Sequence, residues 1–259
     1  MSEEIKRSQI LESLPLGSWQ FHAKVGSTND LALDWARAGA GDWSLVLADE
    51  QSSGRGRGKR QWVTRPGSAL AMSLVLRPHP DEADHIPRFT ALAALGLIRA
   101  LARWDLRAEL KWPNDVLLGG KKAAGVLVEA DWQGKALQAL VVGMGVNVLA
   151  GSVPAADLTR YTATCVANAL GCPVDRWELL GYILEEMLAL RGVLTEQTFL
   201  DAWNNALAFR GEWVWFRAPG GEAQQVSLTG LGPGGGLIYE NKRGEMVTAV
   251  AGEILMAYN

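Results

Sequence analysis

The sequence predicts an α+β fold: a domain of strands and flanking helices over residues 1–209, then a small all-β module over 210–259. Three observations predict it. Short apolar runs such as Leu45–Ala48 and Leu70–Leu76 alternate with longer segments of helical periodicity up to Phe209. Beyond Phe209 the helical signals stop and four short strand-like runs follow, separated by glycine turns. The composition, 48% hydrophobic and 20% charged, fits a globular chain with a substantial core, and 259 residues allow one large domain or one of about 200 residues with a small companion.

Residues 3–13 read as a short amphipathic helix and Ser18–Ala23 as a strand. Ser27-Thr28-Asn29-Asp30 opens a helix to about Arg37: Ser27 and Asp30 have capping-box spacing, and Gly39 is a natural stop. Leu45–Ala48 and Leu70–Leu76 are buried strands, the second stopped by Arg77-Pro78. Asp84–Trp104 is a long apolar helix with Pro87 in its first turn, where the missing N–H costs little. Arg107–Lys111 and Val116–Leu118 are strands around the turn Trp112-Pro113-Asn114-Asp115. Ala123–Ala130 and Leu137–Val142 form a hairpin around Gln133-Gly134, and helices are expected near 155–170, 176–191 and 197–208. The C-terminal strands are Trp213–Phe216, Gln225–Leu231, Gly236–Glu240 and Met246–Val250, which suit a small β-barrel.

Several function classes find no support. Cys165 and Cys172 have neither redox nor zinc-site spacing, and His22, His79 and His85 form no metal-hydrolase pattern. The N-terminus lacks an apolar signal core, and no run approaches ~18 apolar residues. A soluble, cytoplasmic protein is the expectation.

Net charge is only -3 and the pI about 5.7. Against that background Gly54-Arg55-Gly56-Arg57-Gly58-Lys59-Arg60, closed by Gln61-Trp62, concentrates positive charge. Glycines let backbone N–H groups approach a ligand, and arginine forks suit carboxylate or phosphate. It is not a Walker A loop, because Gly58-Lys59 is followed by Arg60 rather than a hydroxyl residue. Gly143-Met144-Gly145-Val146-Asn147 likewise lacks the last glycine of a dinucleotide fingerprint. Taken alone, the basic loop fits a solvated turn as well as an anion site.

Two lysine segments follow. Lys111-Trp112-Pro113-Asn114-Asp115 places polar groups at a strand end, although such a turn can equally cap its own backbone. Lys121-Lys122-Ala123-Ala124-Gly125-Val126-Leu127-Val128-Glu129 starts a strand with an ammonium that low dielectric would strengthen if buried, and Gly125 permits close approach. Two consecutive lysines at a hairpin edge are more often solvated. Ser27, Thr28, Asn29 and Gln51 add compact hydrogen-bonding groups.

In combination and in order, these segments resemble the biotin–protein ligase family. The family carries a Ser-Thr-Asn segment, a Glu-x-Gln-x-x-Gly-Arg-Gly-Arg loop ending in Trp, a Lys-Trp-Pro-Asn-Asp turn and a Lys-x-Ala-Gly-Ile/Val-Leu-Val-Glu strand. Here these are Ser27–Asn29, Glu50–Arg57 with Trp62, Lys111–Asp115 and Lys122–Glu129, and Gly143–Asn147 matches a Gly-x-Gly-x-Asn strand end. The motifs span about residues 27–147. One departure is Lys59, which stands where a glycine is common in the family loop. About 25 residues precede Ser27, too few for the helix-turn-helix repressor domain of some members, so DNA binding is not expected.

The resemblance implies a mixed-sheet catalytic domain of the class II synthetase-like, biotin/lipoate ligase type over 1–209, and an SH3-like β-barrel over 210–259. It implies ATP-dependent attachment of biotin, through biotinyl-5′-AMP, to a lysine of a biotin carboxyl carrier protein. Lys122 and Arg57 are the implied catalytic residues. Ser27, Thr28, Asn29, Gln51, Gly54, Arg55, Gly56, Arg57, Lys122 and Gly125 fall to biotin. Arg57, Arg60, Trp62, Lys111, Asn114, Lys122 and Asn147 fall to the nucleotide, and Asp115 to magnesium arriving with ATP. No membrane partner is expected, and a homodimer is compatible. The alternatives are a lipoate–protein ligase-like adenylate transferase and, from a different class, an RNA-binding module using the Arg-Gly loop.

Overall fold

The runs expected as buried strands form the middle of a seven-stranded mixed sheet in the computed structural model, which describes residues 2–155 and 162–255 apart from the Lys59 side chain. Strand order is β1 (Trp19–Val25), β2 (Ser44–Gln51), β3 (Ala69–Leu76), β7 (Ala136–Asn147), β6 (Lys121–Gln133), β5 (Asp115–Leu118) and β4 (Ala108–Lys111). β1 and β2 are parallel, and every other neighbouring pair is antiparallel. All eight residues of β3 are buried, which explains why its sequence is apolar without alternation.

Alternation still decides which core each β3 side chain joins. Leu70, Met72, Leu74 and Leu76 pack into the main core, which includes residues of α3 (Ile86–Ala102), α5 (Arg176–Arg191) and α6 (Gln197–Asn205). Val75 joins the smaller core under α2 (Thr28–Arg37), with Ala32, Ala36, Val46 and Val141. Pro87 lies in the first turn of α3, as expected. α1 (Glu3–Glu12) is tied to α5 by Lys6 and Asp175, 2.5 Å apart. Asp175 also caps α5, accepting from the N–H groups of Trp177 and Glu178.

Three expectations need correction. Ser27 is at the N-cap position of α2 but makes no capping bond, and Asp30 instead meets Arg55 at 2.6 Å. Of the helix expected over 155–170, only α4 (Val166–Leu170) is helical; 162–165 are extended, and 156–161 lie outside the described residues. The cause is strand pairing: Lys122 N–H donates to Thr162 O (3.0 Å), and Thr164 N–H donates to Lys122 O (2.9 Å). Finally, the C-terminal module has a fifth strand. Its antiparallel order is β11 (Met246–Ala249), β10 (Leu237–Asn241), β9 (Ala223–Leu231), β8 (Trp213–Arg217) and β12 (Glu253–Leu255).

The two sheets share one continuous core. Trp112 joins them: its indole packs 6.3 Å from the Phe216 ring, and its Nε1 donates to Gly235 O at 3.1 Å. Arg88 adds a bond to Pro233 O at 3.2 Å. The small module is thereby held against the turn that carries Asn114 and Asp115. No helix among the described residues is long and apolar enough to cross a membrane.

Candidate active site

Every residue assigned from sequence except Gly54 lines one cavity of about 600 Å³. The cavity lies on the α2 side of the sheet, between β6, β7, the basic loop and the Lys111–Asp115 turn. Gly54 sits just behind it, where a Cβ would run into the Trp62 carbonyl.

The basic loop is a small hairpin. Arg55 and Gln61 form an antiparallel bridge, Gly56 N–H donates to Arg60 O (2.7 Å), and Trp62 N–H donates to Gly54 O (2.8 Å). Gly58, with φ +64°, makes the reversal that an L side chain would strain. Arg55 forks onto Glu129 at 2.9 and 2.6 Å and also meets Asp30. Arg57 points to Asn114 Oδ1 at 3.5 Å, and Arg60 pairs with Glu253 of the C-terminal module at 2.9 Å. Burial and the neighbouring Arg60 lower the Arg57 pKa from its ordinary value. Its charge therefore lacks full hydration in this pocket, as suits a cation that is to meet an anion.

Glycines on β6 and β7 make the floor. A Cβ on Gly145 would collide with the Trp62 indole, and one on Gly143 with the Asn29 amide. Trp62 thus lies flat across the strands, with the Lys122 ammonium 5.6 Å from its ring centroid. Its Nε1 is buried and has no hydrogen-bond partner.

The cationic end is built around Asp115. Oδ1 is 2.6 Å from Lys122 Nζ, and Oδ2 is 3.4 Å from Lys111 Nζ. Burial alone would raise the Asp115 pKa, but the two ammoniums hold it below the ordinary carboxylate value. Burial pushes the Lys111 ammonium pKa down, against the pull of Asp115. Both carboxylate oxygens are committed to lysines, and no group of three or more His, Cys, Asp or Glu side chains among the described residues could hold a metal. Asp115 thus faces a lysine ammonium at each of its oxygens. Asn114 stitches the turn to β6 through Val126, donating from Nδ2 at 2.7 Å. Asn147 donates to Thr164 O at 3.0 Å, fixing the segment that pins the Lys122 backbone.

The opposite end is neutral and rich in hydrogen-bonding groups. Gln51 Oε1 accepts from Thr28 N–H (2.9 Å) and Oγ1 (3.2 Å), and Ser27, released from capping, lines the cavity. One cavity therefore joins a neutral polar end to a cationic end.

The model of the biotin/lipoate A/B protein ligase family matches residues 23–147. A biotin–[acetyl-CoA-carboxylase] ligase of Paracoccus denitrificans is 35% identical over 244 residues, covering 88% of this chain and 97% of that protein. The chain belongs to the biotin–protein ligase family, a family of ligases. A bifunctional ligase/repressor of Bacillus spizizenii is 34% identical over 161 residues, and that match spans about half the length of the relative (49%) and 62% of this chain. Among solved structures, a biotin protein ligase from Aquifex aeolicus in complex with biotin and ATP aligns with a TM-score of 0.77 at 26% identity, over 92% of this chain and 97% of that one. The biotin–protein ligase architecture expected from the resemblance, a mixed sheet with a separate antiparallel sheet, is thus present.

Sequence reasoning missed several lining residues. Glu253 arrives from a three-residue strand too short to announce itself. Gly143 and Gly145 were legible as a motif, and their role as clearance for Asn29 and Trp62 needed the pairing of β6 with β7.

Proposed function

We propose that this chain couples biotin to ATP as biotinyl-5′-AMP and then transfers biotin to a lysine of a biotin carboxyl carrier protein. The observation that carries the proposal is the division of one cavity into a neutral end at Ser27, Thr28 and Gln51 and a cationic end at Arg57, Lys111 and Lys122. A ureido ring, with two N–H donors and a carbonyl, matches the neutral end. A carboxylate meeting a triphosphate requires the other.

The chemical obstacle is repulsion between those two anions. Arg57 and Lys122 both line the cavity, so both anions can be neutralised where the carboxylate oxygen attacks the α-phosphorus and pyrophosphate leaves. Asp115 aims Lys122, Asn114 aims Arg57, and magnesium enters as part of the ATP substrate. In the second step the carrier's lysine amine attacks the acyl carbon and AMP leaves. No covalent enzyme nucleophile is needed. We place the catalytic unit at 1–209 and the SH3-like module at 210–259, with Glu253 reaching from the second to Arg60 of the first.

The neutral end disfavours lipoate, whose dithiolane offers no N–H or C=O. Arg55, Arg57 and Arg60 all turn to partners within the protein, which removes support from the RNA-binding reading. The test is incubation with biotin, magnesium-ATP and a carrier domain, following pyrophosphate release and carrier mass. Biotin-dependent pyrophosphate and one biotin per carrier are expected; lipoate outcompeting biotin, or no adenylate, overturns the proposal.

A further inference from the structure

A hydroxyl stands alone among apolar side chains on β3, the most buried strand of the sheet. Ser73 is 0% exposed, between Met72 and Leu74, and pairs with Gly143 on β7. Its Oγ is 2.6 Å from Asn29 Oδ1 and 2.8 Å from Thr28 Oγ1. From Asn29 the chain of bonds continues outward: Nδ2 donates to Glu129 Oε2 at 2.7 Å, and Glu129 takes the Arg55 fork. From Thr28 it continues through its backbone N–H, which donates to Gln51 Oε1 at 2.9 Å, and Gln51 Nε2 donates in turn to Thr64 Oγ1 at 3.2 Å.

Arg55 and Thr64 are the two feet of the basic loop. One run of hydrogen bonds therefore leaves the loop at its first foot, crosses beneath the cavity through Ser73, and returns at its second. A Cβ on Gly143 would collide with the Asn29 amide, so the run depends on that glycine too. Buried networks of this kind are stiff when fully satisfied and lose much when one member is removed. Arg55, with both arms on Glu129 and a further contact to Asp30, serves this run as the loop's anchor.

We propose that Ser73 and Glu129 are positioning residues that hold the basic loop closed over the cavity and tie that closure to the groups at its neutral end. Neither side chain lines the cavity. They act through Asn29, Thr28 and Arg55. The substrate half of this proposal rests on the biotin reading above; the loop half does not.

The test uses the full chain and the variants Ser73→Ala and Glu129→Gln. Limited trypsin digestion follows cleavage after the loop arginines, at a rate that tracks the open population when reclosing is fast. Both variants should be cut in the loop roughly tenfold faster, the factor expected when one buried hydrogen bond is lost. Leu74→Ala, an apolar truncation on the opposite face of β3, is the stability control and should be cut in the loop at the wild-type rate. Kinetically, the KM for biotin should rise about tenfold in both variants, because Thr28 and Asn29 lose their support, and the KM for ATP should rise too as Arg57 and Arg60 leave with the loop. Glu129 is partly exposed, unlike the fully buried Ser73, so Glu129→Gln decides the matter if Ser73→Ala does not fold. Wild-type loop cleavage in a folded variant overturns the proposal, as does equal acceleration by Leu74→Ala. An unchanged KM for biotin in variants with accelerated loop cleavage overturns its substrate half. If the wild-type protein makes no biotinyl-adenylate, the functional reading fails while the digestion still decides the loop network.

Discussion

Lys122 and Asp115 face each other across the β5–β6 pair, Nζ 2.6 Å from Oδ1, at the cationic end of the cavity. The register of β5 on β6 shifts between Val116 and Leu117, next to this pair. The Lys122 backbone is pinned on its other side by Thr162 and Thr164. An ammonium held by both backbone and carboxylate is already in place before charge develops on the substrate.

Lys122→Ala should therefore reduce biotinyl-adenylate synthesis by about 100- to 1000-fold, the range for removing one preorganised charge donor. Biotin affinity should fall much less, because Thr28 and Gln51 are untouched. Single-turnover pyrophosphate release, set beside calorimetric biotin binding, measures both. A loss of binding that matched the loss of rate would remove Lys122 from its catalytic role.

Asp115 gives a prediction in pH. Burial opposes its charge, but Lys122 and Lys111 hold its pKa below the ordinary 3.8. In the window between the folded pKa and 3.8 the unfolded chain binds the proton and the native one does not, so stability rises with pH there. The contribution is complete above that window and is lost as pH falls through the folded pKa. Asp115→Asn removes the carboxylate between Lys122 and the 2% exposed Lys111 and should cost roughly 3–5 kcal/mol near neutral pH. Urea unfolding of both proteins from pH 7 down to 3 should show the gap between them closing at the acid end. A constant gap would contradict the assignment.

How much of this was legible in the sequence depends on the range of the interaction. The basic loop, the Lys111–Asp115 turn and the Lys122 strand carry their chemistry within a few residues, and their order located the charged part of the cavity lining except Glu253. Partners distant in sequence were not legible. Glu129 is 74 residues from Arg55, and Ser73 is 44 from Asn29, so nothing local marks either as a partner. Asp115 shows a further limit: nothing local in the sequence marked it as the shared carboxylate between Lys111 and Lys122. The segment 162–165 has composition compatible with helix, yet strand-like pairing with Lys122 overrides that preference.

Gly145 tests the cavity floor. A methyl group there would occupy the space of the Trp62 indole, which cannot recede because Gly125 and Lys122 lie beside it. Gly145→Ala should displace Trp62 and weaken nucleotide and biotin binding together, with little change in global stability. Gly26→Ala, at a position with open space around it, should bind as the wild type does. Calorimetric titration of both variants with biotin and then ATP checks this; wild-type binding by Gly145→Ala would mean that the indole does not form part of the site.

The coupling between the two sheets rests on Trp112. Its ring is 3% exposed and packs against Phe216, while its Nε1 donates to Gly235 O at 3.1 Å. Trp112→Phe keeps an aromatic ring but leaves that buried carbonyl without its donor, a loss of about 1 kcal/mol. For a chain of this size the melting temperature should fall by about 2–4 °C. The functional consequence should exceed that small loss. Residues 113–115 follow directly on Trp112, and Glu253 reaches Arg60 only while the C-terminal module keeps its seat. The KM for ATP should therefore rise more than the KM for biotin, since Arg60 and Asn114 belong to the cationic end. Equal changes in the two constants would show that the module's seating does not bear on the nucleotide side.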